Sequence, residues 1–535
     1  MSVIVRRAVA AGRRLRARVS SENGFTMILA ISVLGVTAML TGALLLTVNS
    51  DVTLGKADLN GKQAYAAAQA GVQAYLYNLN NNSTNSSWWE TCSNDTVAQT
   101  AVPDATTGAT YSYAPVPANG NTTCLTANPV GSLIDNNTGT LRLKFTGYAG
   151  AQTRTIVSSF RTLSPLSFLW YTVYETEDTS IDSTDNCARF YYQSPGPGSG
   201  CDIYWVTGDH MNGPMYTQDQ FLVESGDSPT FGRNSEDDIA SQAPTRSAGA
   251  ICAGNNCQNA SVLGTAEPDV TPQVPLPSDN SNLLTDAQNH GLVKPGTLTL
   301  NVSGTTATGW DCTSSSASSC TALSINLATD PIIYATNATG CNSTYNPTSV
   351  TYPTLTPTTG QTAYYGPCGD IYISGTYSAP LTIAAADDVI VTGNLLNSTD
   401  SAPTGTGQLS GSATLGLVAN QYVRVMHPCT NGYGNPDVTI DGAILTLQHS
   451  FFVDNYSCGG TPQGKLTVHG AIAQYFRGIV GTVGASGYLK NYNYDDRLQL
   501  ILPPYLFDLQ NTEWTVFRET LCDSSSTTSA ASCSA

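Results

Sequence analysis

Charge is scarce in this sequence. Only 11% of its 535 residues are charged, with 22 Lys and Arg against 39 Asp and Glu, and only five His are present. A net charge of −17 excludes nucleic acid as a partner, because the cations that would displace phosphate counterions are missing. No two cysteines are separated by two residues, so with so few His a zinc ribbon or finger is excluded as well. The chain also lacks a Gly-x-Ser-x-Gly elbow, a phosphate loop and a zinc-binding helix. Cysteine is absent before residue 92, charge is absent from Phe25 to Ser50, and no proline interrupts Phe25 to Leu79. What is abundant is Thr, Ser, Asn and Gly. Together with 41% hydrophobic residues and 27 Tyr, this describes a folded body with long polar loops rather than a disordered chain. The length accommodates two to four domains.

The charge is also unevenly placed. Residues 1–24 carry Arg6, Arg7, Arg13, Arg14, Arg16 and Arg18 against Glu22 alone, so the remainder of the chain stands at −22. The 26 uncharged residues that follow exceed the roughly 20 needed to cross a bilayer as a helix. The basic leader predicts a single pass with residues 1–24 in the cytoplasm and the carboxy-terminal head outside, at the cell surface. A cleaved secretory signal would have a shorter apolar core. Here the pattern continues past the membrane edge, with Tyr65, Ala68, Val72, Tyr75 and Leu79 at intervals of three and four. One helix over 25–80, transmembrane in 25–50, is predicted.

The 14 cysteines are Cys92, Cys124, Cys187, Cys201, Cys252, Cys257, Cys312, Cys320, Cys341, Cys368, Cys429, Cys458, Cys522 and Cys533. Their even number and their position beyond the apolar segment predict an oxidising compartment and up to seven disulfides. Pairs that are neighbours in sequence, such as Cys187 with Cys201 and Cys429 with Cys458, are the expectation.

The run Glu22-Asn23-Gly24-Phe25-Thr26-Met27 resembles the processing site of type IV pilins and type II secretion pseudopilins. The later segment Lys62-Gln63-Ala64-Tyr65-Ala66-Ala67-Ala68-Gln69-Ala70-Gly71 resembles the amino terminus of PilX-type minor pilins. The resemblance covers about the first 80 residues. It implies cleavage after Gly24 by a prepilin peptidase, Phe25 as the methylated first residue, and assembly with other pilins or pseudopilins. The family's major subunits carry a glutamate at the fifth mature position, which is Leu29 here. In the family that carboxylate is held to neutralise a neighbour's amino terminus inside the membrane, where an unpaired charge is costly. Its absence, together with a large head, points to a minor or tip-type subunit.

In the head, residues 81–163 read as a small pilin-like β region. Leu141, Leu143 and Phe145 alternate, as do Ile156 and Phe160 after a Gly147–Gly150 turn. Residues 164–360 read as an aromatic, loop-rich and disulfide-pinned β region. Within it, Thr207 to Asp219 resembles a segment of actinobacterial pilus-associated surface proteins. Asp209, His210 and Asp219 there could hold a metal, but a turn at Asn212-Gly213-Pro214 explains them more simply, and no metal site is assigned.

Residues 361–520 contain a repeat. Ile371 to Gly375, Val389 to Gly393, Val438 to Gly442 and Leu466 to Gly470 share the order apolar, any, apolar, polar, Gly. This predicts coils of a right-handed parallel β-helix, with a β-sandwich as the alternative. Residues 521–535 form a Ser- and Thr-rich tail. Since parallel β-helices include glycan-active enzymes, catalysis has to be weighed. The candidates Asp387, Asp388, Asp441, Asp495, Asp496, Arg477 and Arg497 are scattered rather than paired. Asp441 and His469 fill equivalent repeat positions beside Gly, where a turn is expected. No catalytic residue and no cofactor is assigned. The expectation is a non-catalytic pilus or pseudopilus subunit, with adhesion to an extracellular glycan or protein compatible with its surface. The alternatives are a singly anchored adhesin and, less favoured, a β-helix glycan-active enzyme.

Overall fold

The computed structural model describes residues 25–81, 88–103, 108–117, 123–126, 132–135, 140–162, 164–181, 185–243, 251–253, 260–267, 274–312, 318–342, 345–352, 362–363, 366–400, 409–427, 436–458, 464–482, 484–499, 501–506 and 514–522. The leader and Gly24 therefore lie outside the described residues, as do Cys257, Cys429, Cys533 and residues 523–535 of the tail, whereas Leu521 and Cys522 end the strand Trp514–Cys522. The chain divides into two compact units, one containing the amino-terminal helix and one containing most of residues 159–517.

With no proline to break it and no charge before Asp51, the first segment runs as one helix, Phe25–Asn81, about 85 Å long at 1.5 Å per residue. Its last turns bury Ala64, Ala67, Ala68, Val72, Tyr75 and Leu79. Tyr65, expected on this stripe, is 42% exposed, and Ala64 takes its place. The reason is steric. The helix lies so close to the neighbouring sheet that a Cβ on Gly147 would stand 1.9 Å from the Ala64 carbonyl, which leaves no room for a ring. Tyr75 fits further along, edge-on to Tyr113 and Phe145, where its hydroxyl donates to Asp95 at 2.6 Å.

The sheet of this region has the order Val97–Ala101, Thr110–Pro115, Thr140–Ala149, Gln152–Thr162 and Trp514–Cys522, and Ile134–Asp135 also pairs with Thr140–Ala149. The alternating burial of Thr140–Ala149 places Leu141, Leu143 and Phe145 inward. The last strand comes from the far end of the sequence and closes the sheet beside Gln152–Thr162.

The second unit is mainly β, and its strands lie in parallel ladders. Thr297–Gly304 pairs with Ile371–Tyr377, which pairs with Val389–Asn397, then Val423–Val425, then Phe451–Val453, all parallel. A second ladder runs Ile332–Thr336, Leu381–Ala385, Leu415–Ala419, Val438–Thr446 and Gly464–Phe476. Gly464–Phe476 then pairs with both Ser486–Tyr494 and Trp170–Tyr174. From there the ladders continue through His210–Asn212 and Met215–Thr217 to Asp238–Ser241 and Thr265–Glu267. The parallel pairing thus reaches well outside the 361–520 segment that the glycine repeat marks. The inward residues form one aliphatic core, with Ile371, Val389, Val391, Ile440, Ile444, Leu466, Val468 and Ile472 fully buried. Stacking of this kind requires close backbones. A Cβ at Gly470 would meet the Gly442 carbonyl at 1.9 Å, and Gly375, at φ +120°, would meet the Val302 carbonyl at 2.1 Å.

Between residues 281 and 326, read from sequence as part of a loop-rich β region with short strands, stand a short helix, Ser281–His290, and the longer antiparallel strands Thr297–Gly304, Thr306–Cys312 and Thr321–Asn326. Cys187 is bonded to Cys201, Cys312 to Cys320 and Cys341 to Cys368. Cys92, Cys124, Cys252, Cys458 and Cys522 are also disulfide-bonded, and no described cysteine is free.

Candidate functional site

The most exposed apolar surface is the first part of the long helix. Met27–Leu44 is the one described helical segment long and apolar enough to cross a membrane, and none of it is buried within the protein. Leu29 is 56% exposed, and Ile28, Ile31, Leu34, Met39 and Leu40 are similarly bare. Ser32, Thr37 and Thr41 return their hydroxyls to the carbonyls of Ile28, Val33 and Thr37 at 2.7, 2.8 and 2.6 Å. Their polar groups are thereby satisfied within the helix, as an apolar environment requires. Phe25 is the first helical residue described.

In the head, most of the residues weighed for chemistry are engaged in structural pairs. Arg477 is fully buried and donates Nη1 to Glu175 Oε2 at 3.1 Å and to the Ile203 carbonyl at 2.8 Å. Its guanidinium lies 3.9 Å from the centroid of the Trp205 ring. Arg497 is paired with Asp495 at 2.7 Å, and Asp496 with Arg233 at 2.9 Å. Asp388 is bound to Arg424, which also reaches Asp454 at 3.2 Å. Burial raises the Asp388 carboxyl, and Arg424 opposes that shift.

The residues of the Thr207–Asp219 segment do not converge. Asp209 is buried and accepts from Lys490 Nζ at 2.8 Å, His210 is exposed, and Asp219 accepts from the Tyr191 amide at 2.6 Å. Burial pushes Asp219 up to about 8, against the hydrogen bonds from backbone amides. Asp209 and Lys490 also stand in the wall of a cavity of about 400 Å³.

Asp441 and His469 do come together. They are register partners on neighbouring strands, both buried, with His469 Nδ1 2.9 Å from Asp441 Oδ1 and 3.6 Å from Asp400 Oδ2. The expected turn is thus a buried polar cluster. Its equivalence was legible in the repeat, whereas Asp400 carried no signal. Burial raises the Asp441 carboxyl, and the His469 hydrogen bond opposes the shift. Cys341, Cys368 and Asp387 also lie close together, but the two sulfurs are joined as a disulfide and are unavailable as thiolate ligands. One further pair, Asp178 and His449, was not anticipated. Nδ1 of His449 is 2.7 Å from Asp178 Oδ2, and its ring stacks on Tyr422. The Ser180 hydroxyl bonds to Asp178 and Tyr422 rather than to that imidazole.

No protein-family model and no curated protein matches the chain. Among solved structures it is similar to the competence-associated pilin ComZ from Thermus thermophilus, with 13% identity and a TM-score of 0.28, over 87% of this chain and 98% of that one. Among the described residues, the chain has one bare, apolar amino-terminal segment long enough to span a membrane, and a large, disulfide-bonded, mainly-β body.

Proposed function

We propose that this chain is a non-catalytic minor or tip subunit of a type IV pilus or a pseudopilus-like surface assembly, processed by a prepilin peptidase between Gly24 and Phe25. The observation that carries this reading is the single helix Phe25–Asn81, bare and apolar over Met27–Leu44 and buried on one face from Ala64 to Leu79. An anchor needs only the first part. A continuation packed under its own sheet is more than an anchor requires, and it is what a subunit that assembles through its helix would use. The basic leader keeps the amino terminus inside and the head outside. The non-catalytic role is supported by the pairing of Arg477, Arg497, Asp388, Asp495 and Asp496 into internal ion pairs, which leaves those charges engaged.

The head, in the same reading, is a right-handed parallel β-helix. A β-sandwich is built from antiparallel strands, whereas the two long ladders here are parallel, and parallel crossovers are almost always right-handed. Leu29 in place of the family's glutamate supports a second reading, an unprocessed and singly anchored adhesin.

The test is the amino-terminal sequence of the mature protein isolated from its host membranes. Phe25, N-methylated, is the expected first residue. An intact Met1 or Ser2 refutes processing and leaves the anchored adhesin.

A further inference from the structure

On the outside of the head, three pairings bring one row of side chains together. Thr299 faces Trp310 across an antiparallel pair, Trp310 faces Ala322, and Thr299 faces Tyr372 in the parallel ladder. The next outward row is Ser324, Thr308, Asn301 and Ser374. The inward alternates are Leu298, Leu300 and Val302, which belong to the core, so strand alternation alone sets these two rows outward. Between the rows lies an open cavity of about 640 Å³, within the range of about 300–1,000 Å³ usual for small-ligand sites.

We propose that this groove binds a neutral glycan. Its described lining contains no charged side chain, which disfavours phosphate, acidic polymers and charged peptides. It offers instead the half-buried indole of Trp310 and, around it, the hydroxyls and amide of Thr308, Asn301, Ser374 and Thr392. A pyranose matches that combination, because its C–H face stacks on an aromatic ring while its hydroxyls exchange hydrogen bonds at the edge. A separate observation points to an occupant. Thr299 is only 5% exposed, and its hydroxyl has no hydrogen-bond partner within the described protein, a position that buried polar groups rarely leave unfilled. The inference concerns the head alone and does not depend on cleavage after Gly24.

The experiment is isothermal titration of the full chain in detergent with maltotriose, cellotriose, mannotriose and N,N′-diacetylchitobiose, with 3′-sialyllactose beside lactose as the charged comparison. At least one neutral sugar should bind with Kd of about 1 mM or tighter. Trp310→Ala should weaken that binding at least about tenfold, the loss typical of an aromatic anchor. Asn301→Ala, at an exposed position that leaves the core intact, should weaken it about threefold or more. No binding of any neutral sugar at about 10 mM, affinity unchanged in both variants, or tighter binding of sialyllactose than of lactose would each overturn the proposal.

Discussion

Replacing Arg477 by Met should be among the most damaging single changes in the head. The guanidinium is fully buried, bonded to Glu175 at 3.1 Å, to the Ile203 carbonyl at 2.8 Å and to the Tyr204 carbonyl at 3.1 Å, and stacked on Trp205. Methionine fills much of the same volume but supplies none of those donors. Glu175 would remain as a buried carboxylate held, among the described residues, only by the Trp170, Trp205 and Thr172 donors. Breaking a buried pair in this way costs about 3–5 kcal/mol, and two carbonyls left without donors add about 1–3 kcal/mol each at most. With a urea m value of roughly 3 kcal/mol/M, the midpoint should fall by about 1 M or more. Trp170 and Trp205 flank the site, so the fluorescence of the full chain reports the transition. Adding Glu175→Gln should recover part of the loss, because the stranded charge is removed with it. The double variant should therefore cost less than the sum of the singles by about 1–3 kcal/mol. A midpoint shift below about 0.3 M, or strict additivity, would refute the idea that this pair is interdependent.

Two other outcomes follow from the same reasoning. Burial raises the Asp95 carboxyl to about 7 even though Tyr75 donates to it, so the folded chain keeps a proton that the unfolded chain loses near pH 4. That contribution is complete below about pH 4 and is lost as pH rises through about 7. Asp95→Asn should flatten the decline in thermal midpoint between those values, and an unchanged slope would exclude Asp95 as its source. Gly470→Ala would place a Cβ 1.9 Å from the Gly442 carbonyl, so the two strands must separate, at about 1–3 kcal/mol. An equal urea midpoint for this variant and the parent would show that the strands do not approach so closely.

The long helix was legible because its signals are local: no proline throughout, no charge as far as Ser50, and small residues where the sheet comes close. The glycine repeat was equally informative where strands follow one another directly. Gly442 and Gly470 are register partners, and so are Asp441 and His469, as their shared repeat position implied. The irregular spacing elsewhere has a physical source. Between Gly393 and Gly442 the chain inserts Leu415–Ala419 and Val423–Val425, so the strands bearing those glycines meet only at Leu395 and Ile440. Residues 170–267 gave little warning that they extend the ladders. Their strands are two to five residues long and lined by Trp170, Tyr216 and Phe231, so neither aliphatic alternation nor the glycine pattern is present to be read. The outer groove was equally hidden, since Trp310, Thr299 and Tyr372 are neighbours only through pairing across three strands.

The scarcity of charge takes on a different meaning once the ion pairs are located. Arg424 sits between Val423 and Val425, both fully buried in the aliphatic stack, yet its own side chain points the other way. There it bridges Asp388, at the entry to the preceding strand of the ladder, and Asp454, at the exit from the following one, with the Tyr345 ring 4.7 Å away. One arginine thus ties three successive levels of the ladder together. A slip of one residue would turn it into the core and bring Val423 or Val425 out, because side chains alternate along a strand. Stacked Ile, Leu and Val resist a slip of two residues far less, since they present the same chemistry at each alternate position. The carboxylates at the two ends of Arg424 do not, because only one register sets both within reach of the guanidinium. Arg424 and its two carboxylates therefore work where they discriminate between registers, which a uniform aliphatic ladder does poorly.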